Sequence, residues 1–278
     1  MNRRIMAICS MIAIALVLGT GPVPVSAHRT EQETLPPSLL GPAGQTTDVS
    51  PEDAIWHMLG RVNRARAVAD LRRFAGEEPI CTTSGCQTIL NRRTGSEGLR
   101  WTMDYRFEEL ADLGYVVEFE DWTRKKRSDR NLIARKVGMI APTEEVYIVS
   151  HVDGVNEGDE ERFSSAEDNA TGAVDLLETA RVLSTYSFSR TLVLFFSTGE
   201  EQGASGVRSH LDQLSAAELS RITVAVDVDM VGYDANEDRL MELWHGDDPV
   251  SMPVTRIMSE TIRTYQLDLV PLIIAGCG

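Results

Sequence analysis

The run Thr191-Leu192-Val193-Leu194-Phe195-Phe196 carries no charge and reads as a strand covered on both faces. A strand like that needs a layer of structure above it and another below. The neighbouring sequence supplies both. Val146-Tyr147-Ile148-Val149 predicts a second apolar strand ending at His151, and Ile222 to Met230 a third. Ala173, Val174, Leu177 and Ala180 mark a helix between the first two, and Pro253 to Thr264 a helix after the third. Val270 to Ala275 reads as one more strand, buried like the others, with Pro271 near its start. Alternating strands and helices predict an α/β fold, a three-layer α/β/α sandwich around a mostly parallel mixed sheet. Ligands of such sheets lie beyond the carboxyl ends of the strands.

Upstream, Leu99, Met103, Leu110 and Leu113 fall on one helical face, and Gly114 supplies the stop. Tyr115 to Phe119 follows as a strand, and Arg124-Lys125-Lys126-Arg127 as a solvated hairpin tip. Ser215-Ala216-Ala217-Glu218 is a capping box, and Ser50-Pro51-Glu52 a helix start. No internal repeat is present.

The N-terminus reads as an address. Arg3 and Arg4, the apolar stretch Ile5 to Leu18, the breakers that follow and the small-residue end Val25-Ser26-Ala27 make residues 1–27 a signal peptide, implying a secreted or periplasmic protein. Residues 28–50 are polar and proline-containing, an unstructured lead-in or pro-segment, and 51–278 the folded domain. The net charge of −15 argues against a nucleic-acid partner, and the mature chain has no membrane-spanning run. Cys9 leaves with the signal. Cys81 and Cys86 predict a local disulfide, which leaves Cys277 odd.

Polar residues gather just past the predicted strand ends. His151-Val152-Asp153-Gly154 follows the first strand, and Glu167-Asp168-Asn169 precedes the helix at Ala170. Gly199-Glu200-Glu201 follows the second strand, and the third carries Asp227 and Asp229. One histidine and several carboxylates converging on the ligand edge suit a hard, hydrolytic metal site. Each group also has a plainer reading. Asp168 and Asn169 could cap a helix, Glu200 and Glu201 could be first-turn acids, and His151 alone could be structural. Asp229, in an apolar strand, is the hardest to explain without a partner. The metal reading rests on the combination. No nucleophile-elbow serine, phosphate loop or His-Glu-x-x-His helix competes with it.

These segments, with Val149-Ser150-His151-Val152-Asp153, Ala170-Thr171-Gly172, Gln202-Gly203 and Val226-Asp227-Val228-Asp229-Met230, resemble the secreted bacterial leucine aminopeptidases. That family of co-catalytic zinc exopeptidases also includes carboxypeptidases and glutaminyl cyclases. The resemblance covers roughly residues 95 to 278. It implies peptide substrates and two zinc ions, His151 and Asp229 on one, Glu201 on the other and Asp168 bridging. It further implies Asp153 as the residue orienting His151, Glu200 as the general base that activates water, and a cis peptide after Asp168. In the family a further histidine, beyond a Cys-Gly-Tyr-Ser-Asp-His-like segment, completes the second site. The chain ends at Ala275-Gly276-Cys277-Gly278, so the resemblance implies an enzyme truncated at its C-terminus, its second site left with Asp168 and Glu201. Cyclase-like or carboxypeptidase activity and a non-catalytic module of the same fold remain the alternatives, and oligomeric state is open.

Overall fold

The computed structural model describes residues 51–156, 158 and 161–276. The signal and lead-in expected over 1–50, and Cys277, lie outside the described residues. Two helices open the domain, α1 (Pro51–Gly60) and α2 (Arg64–Phe74), followed by a small hairpin of β1 (Ile80–Thr82) and β2 (Gly85–Gln87). The expected Cys81–Cys86 disulfide closes that hairpin. Helix α3 (Glu97–Asp112) starts at Ser96, whose side chain accepts the Leu99 N–H, and stops before Gly114, where φ is +84°.

The central sheet has five strands in the order β3-β4-β6-β5-β7. Strands β3 (Val116–Arg124) and β4 (Arg127–Lys136) form a hairpin whose two tip residues, Lys125 and Lys126, both have positive φ. This is the mirror-image turn that matches strand twist, so the basic run is an exposed tip as expected. Strands β5 (Ala141–His151), β6 (Arg190–Ser197) and β7 (Ile222–Asp227) run parallel to one another, with β5 in the middle. Their crossovers carry α4 (Gly172–Leu183), α5 (Ser205–Gln213) and the single turn α6 (Ala216–Leu219), which the Ser215–Glu218 capping box opens. The sheet is mixed because the β3-β4 hairpin adds two antiparallel ladders, β3-β4 and β4-β6, to the parallel half.

Alternation along β6 shows why this sequence makes three layers. Leu192, Leu194 and Phe196 face the core built with helices α1–α4, while Val193 and Phe195 face the opposite layer with Val207 of α5. Burial of each such side chain contributes roughly 1.5–3 kcal/mol, so the strand has no tolerable solvent face.

Two expectations fail at the C-terminal end. β7 stops at Asp227, and Asp229 lies in the loop beyond it rather than within an apolar strand. The strand β9 (Val270–Ala275) does form, but it is not buried in the main sheet. It pairs in parallel with β8 (Leu240–His245), a strand that the apolar pattern does not announce because Glu242 and His245 interrupt it. Val270, Leu272 and Ile273 are exposed on this two-stranded unit, which α7 (Ser251–Thr264) covers through a small cluster of Leu243, Ile262 and Leu269. No helix among the described residues is long and apolar enough to cross a membrane.

A buried ion network locks α2, α3 and α4 together. Asp70, wholly inaccessible, accepts from Arg181 Nη1 at 2.5 Å, Arg73 Nη1 at 2.7 Å and the Tyr105 hydroxyl at 2.9 Å. Arg181 also donates to Glu109, and Arg66 to Glu178. Asp70→Ala strips one side of this network and leaves the buried Arg181 charge under-paired, so it should cost about 3–5 kcal/mol in urea unfolding. A loss below about 1 kcal/mol would mean the network is solvated.

Candidate metal centre

The carboxyl ends of β5, β6 and β7 lie side by side, and each strand delivers functional groups there. His151 is the last residue of β5 and almost fully buried. Its Nε2 lies 3.1 Å from Asp168 Oδ1 and 3.4 Å from Asp229 Oδ1, yet makes no hydrogen bond of acceptable geometry. One ligand atom from each of His151, Asp168 and Asp229 lies within 4.8 Å of the other two. A buried ring nitrogen aimed between two half-exposed carboxylates suits a shared cation, and the one-nitrogen, two-oxygen donor set fits zinc.

Asp168 sits on a kinked turn, Ala166–Thr171, immediately before α4, and the Asp168–Asn169 peptide is cis, as the resemblance implies. The two residues that could have shared a capping role separate here. Asn169 Oδ1 does accept the Gly172 N–H at the helix start, together with the Met230 N–H, while its amide donates to Ser150 Oγ and the Val228 carbonyl. Asp168 turns instead to His151. Asn169 thus ties β5, α4 and the Asp229 loop to one side chain. Gly172 is required beside it, because a Cβ there would lie 2.3 Å from the Val228 carbonyl oxygen. Glu167 adds a second tie, its Oε1 accepting the N–H groups of Gly232 and Tyr233 at 3.0 Å.

From β6 the chain passes Gly199, at φ +73° and against the Trp122 ring, into a short turn over Glu200–Gln202. Trp122 is fixed in turn by donating to Thr198 Oγ1 at 2.8 Å. Asp153 is fully buried and holds this turn from the other side. Its Oδ1 accepts the Glu200 N–H at 3.1 Å, and its Oδ2 accepts from Thr94. The oxygen nearest His151 Nδ1 is the main-chain carbonyl of Asp153, at 3.1 Å, with the carboxylate at 3.8 Å. Asp153 therefore faces both the histidine and the glutamate turn.

Electrostatics at the site ask for positive charge. Burial disfavours a charged imidazole, but Asp153, Asp168 and Asp229 outweigh it and push His151 up to about 12. Asp168 is held low, chiefly by His151. Glu200 is raised by burial and then by Asp153, Asp229 and Asp168. Glu201 rises from its ordinary 4.5 to about 7, by burial first and then by Asp168 and Asp153. His151, Asp168 and Asp229 come together as expected, and Glu200 and Glu201 stand within electrostatic reach of them. His210 and His245 go elsewhere, to Glu120 and to the Gly246 carbonyl. Sequence reading missed Asn169 as an organiser, together with Glu167, Thr94 and Arg92. Only their partners, distant in sequence, reveal those roles.

Residues 131–270, half of the chain, match the profile of peptidase family M28. The chain belongs to that family. It is 30% identical over 144 residues to leupeptin-inactivating enzyme 1 of Streptomyces exfoliatus, which covers 51% of this chain and 32% of that protein. It is 33% identical over 108 residues to aminopeptidase YwaD of Bacillus subtilis, covering 38% of this chain and 22% of that one. The chain thus spans about a third or less of the length of these curated relatives. Among solved structures, LapA of Legionella pneumophila superposes with a TM-score of 0.63 at 18% identity, over 85% of this chain and 62% of LapA. That likeness establishes the fold.

Because Glu201 holds its proton to higher pH when folded than when unfolded, its stabilising contribution is complete below 4.5 and is lost as pH rises through about 7. The melting temperature of metal-free protein should therefore carry a component that declines between pH 5 and 7.5, and Glu201→Gln should remove it. Added zinc should raise the melting temperature more at pH 7.5 than at pH 5, since protons and cation compete for the same groups. Identical pH slopes in wild type and Glu201→Gln would contradict the assignment.

Proposed function

We propose that this chain is a zinc-dependent aminopeptidase that removes N-terminal residues from peptides. The convergence of His151, Asp168 and Asp229 at the ends of parallel strands carries that reading. Membership of a peptidase family supports the hydrolytic part, and the name of the Bacillus relative supports the exopeptidase part. His151, Asp168 and Asp229 would hold one zinc, and Glu201 together with Asp168 would be the ligands available to a second. When bound, zinc supplies the Lewis acidity that polarises a scissile carbonyl and acidifies water.

The chain's own residues do the rest. Glu200 is the base: it takes a proton from the attacking water and returns it to the departing amine. Burial and the neighbouring carboxylates raise its proton affinity above that of a free carboxyl group. The Glu200 main-chain N–H donates to Asp153 Oδ1 at 3.1 Å, which fixes the turn that carries both glutamates. Export belongs to the same proposal, supported by the layout of residues 1–27 and by the Cys81–Cys86 cross-link.

With leucine p-nitroanilide and a short unblocked peptide as substrates, Glu200→Gln should lower kcat/KM by about 10²–10⁴-fold while leaving bound zinc unchanged. His151→Ala should lose the zinc itself. Hydrolysis by Glu200→Gln at the wild-type rate would show that another group is the base. Equal hydrolysis of an N-acetylated peptide would exclude an aminopeptidase, and ring closure of an N-terminal glutamine without release of amino acid would point to a cyclase.

A further inference from the structure

Residues 89–95 link the disulfide hairpin to α3 and lie outside the stretch that matches the family profile. We propose that this segment is a strap that sets the metal affinity of the centre, with Arg92 as its positioning residue; the inference rests on the metal reading above.

Arg92 is wholly buried. A buried guanidinium is ordinarily matched by a carboxylate. Here four of its hydrogen bonds end on main-chain carbonyls: Nε on Val152 at 2.9 Å, Nη1 on Phe74 and on Ser164 at 2.8 Å, and Nη2 on Ser165 at 2.7 Å. Val152 lies between His151 and Asp153, and Ser164 and Ser165 lead into the turn bearing Asp168. One planar fork therefore fixes the spacing between the two backbone segments that carry His151 and Asp168. Its charge also lies close enough to Asp153 and Asp168 to act on both electrostatically.

The rest of the strap repeats the pattern. The Gly154 N–H donates to the Arg92 carbonyl at 3.1 Å and the Phe163 N–H to the Leu90 carbonyl at 3.0 Å, while Asn91 Nδ2 donates to the Glu161 carbonyl at 2.7 Å. Thr94 Oγ1 donates to Asp153 Oδ2 at 3.0 Å and also meets Gln202 Oε1, beside the Glu200–Glu201 pair. Residues 89–95 thus hold both ends of the connection between β5 and α4 and the turn after β6. Carboxylates that repel one another will spread unless the backbone holds them, and spreading must be reversed when a cation binds. Groups that hold ligands in place beforehand are commonly worth 10–100-fold in metal affinity. Lysine cannot substitute for this arginine, since a single ammonium cannot span carbonyls on three separate segments.

The test is a zinc titration of the full chain against a competing chromophoric chelator, for wild type, Arg92→Lys and Thr94→Val, alongside thermal unfolding of each metal-free protein. Arg92→Lys should weaken zinc by about 10–100-fold, and Thr94→Val by about tenfold, in protein that remains folded. Lower melting temperatures with unchanged zinc affinity would mean a merely structural strap and overturn the proposal. If Arg92→Lys fails to fold, the near-isosteric Thr94→Val decides by the same criterion. Wild type that binds no zinc would overturn the metal reading and this inference together, whereas bound zinc with equal affinities would overturn this inference alone.

Discussion

Five carboxylates crowd one buried imidazole where three parallel strands end, and that concentration of negative charge is the constraint the rest of the domain answers to. Asp153 and His151 are out of reach of solvent, and Asp168 and Asp229 are about half exposed, so water screens the repulsion only in part. Its electrostatic consequence appears in the groups themselves: the imidazole is driven toward its charged form and Glu200 and Glu201 toward their neutral ones. A cation relieves all of these at once. That is the physical basis for reading a metal centre from side chains alone.

Holding such a cluster in register takes a rigid support, and the fold provides it in two kinds of material. The strands supply position. β6 is anchored through Leu192, Leu194 and Phe196 on one face and Val193 and Phe195 on the other, and β5 through Val146 and Ile148 on one face and Tyr147 on the other, so their ends have little freedom to shift. Polar side chains supply the spacing between loops. Asn169 ties the Asp168 turn to the Asp229 loop, Asp153 ties the His151 loop to the glutamate turn, and Arg92 clamps the backbone on either side. In each case a side chain satisfies main-chain groups of a neighbouring loop, which removes the cost of burying them unpaired.

The central strands were legible because burial on both faces leaves a simple trace in sequence, an unbroken apolar run. The hairpin tip at Lys125-Lys126 and the cap at Ser215 were legible because their chemistry is local. Strand β8 was not, since it is covered on one side only and Glu242 and His245 break its pattern. The fate of Asp229 was misjudged for a related reason. Val226 within β7 and Val228 just beyond it continue the apolar alternation, and the Val228 N–H still donates to the Val149 carbonyl at 2.9 Å, so the chain leaves the sheet only one residue before Asp229. Arg92 left no signal at all. A single arginine in a polar stretch gives no sign that it will be buried against four carbonyls from three segments.

The sequence by itself determined the layered α/β architecture, the order in which acidic segments follow strands, and the chemical types available at the ligand edge. These depend on periodicity and on residues near one another in the chain. The tertiary structure alone decided which carboxylates meet His151, that Asn169 rather than Asp168 serves the helix start, and that Asp153 faces the Glu200 turn as well as the histidine. The meetings of His151 with Asp168 and Asp229 and of Asp153 with Glu200 join residues 17 to 78 positions apart, and even the local choice between Asp168 and Asn169 depends on the fold, because a hydrogen bond or ion pair reports its partner only once folding has set its direction and distance.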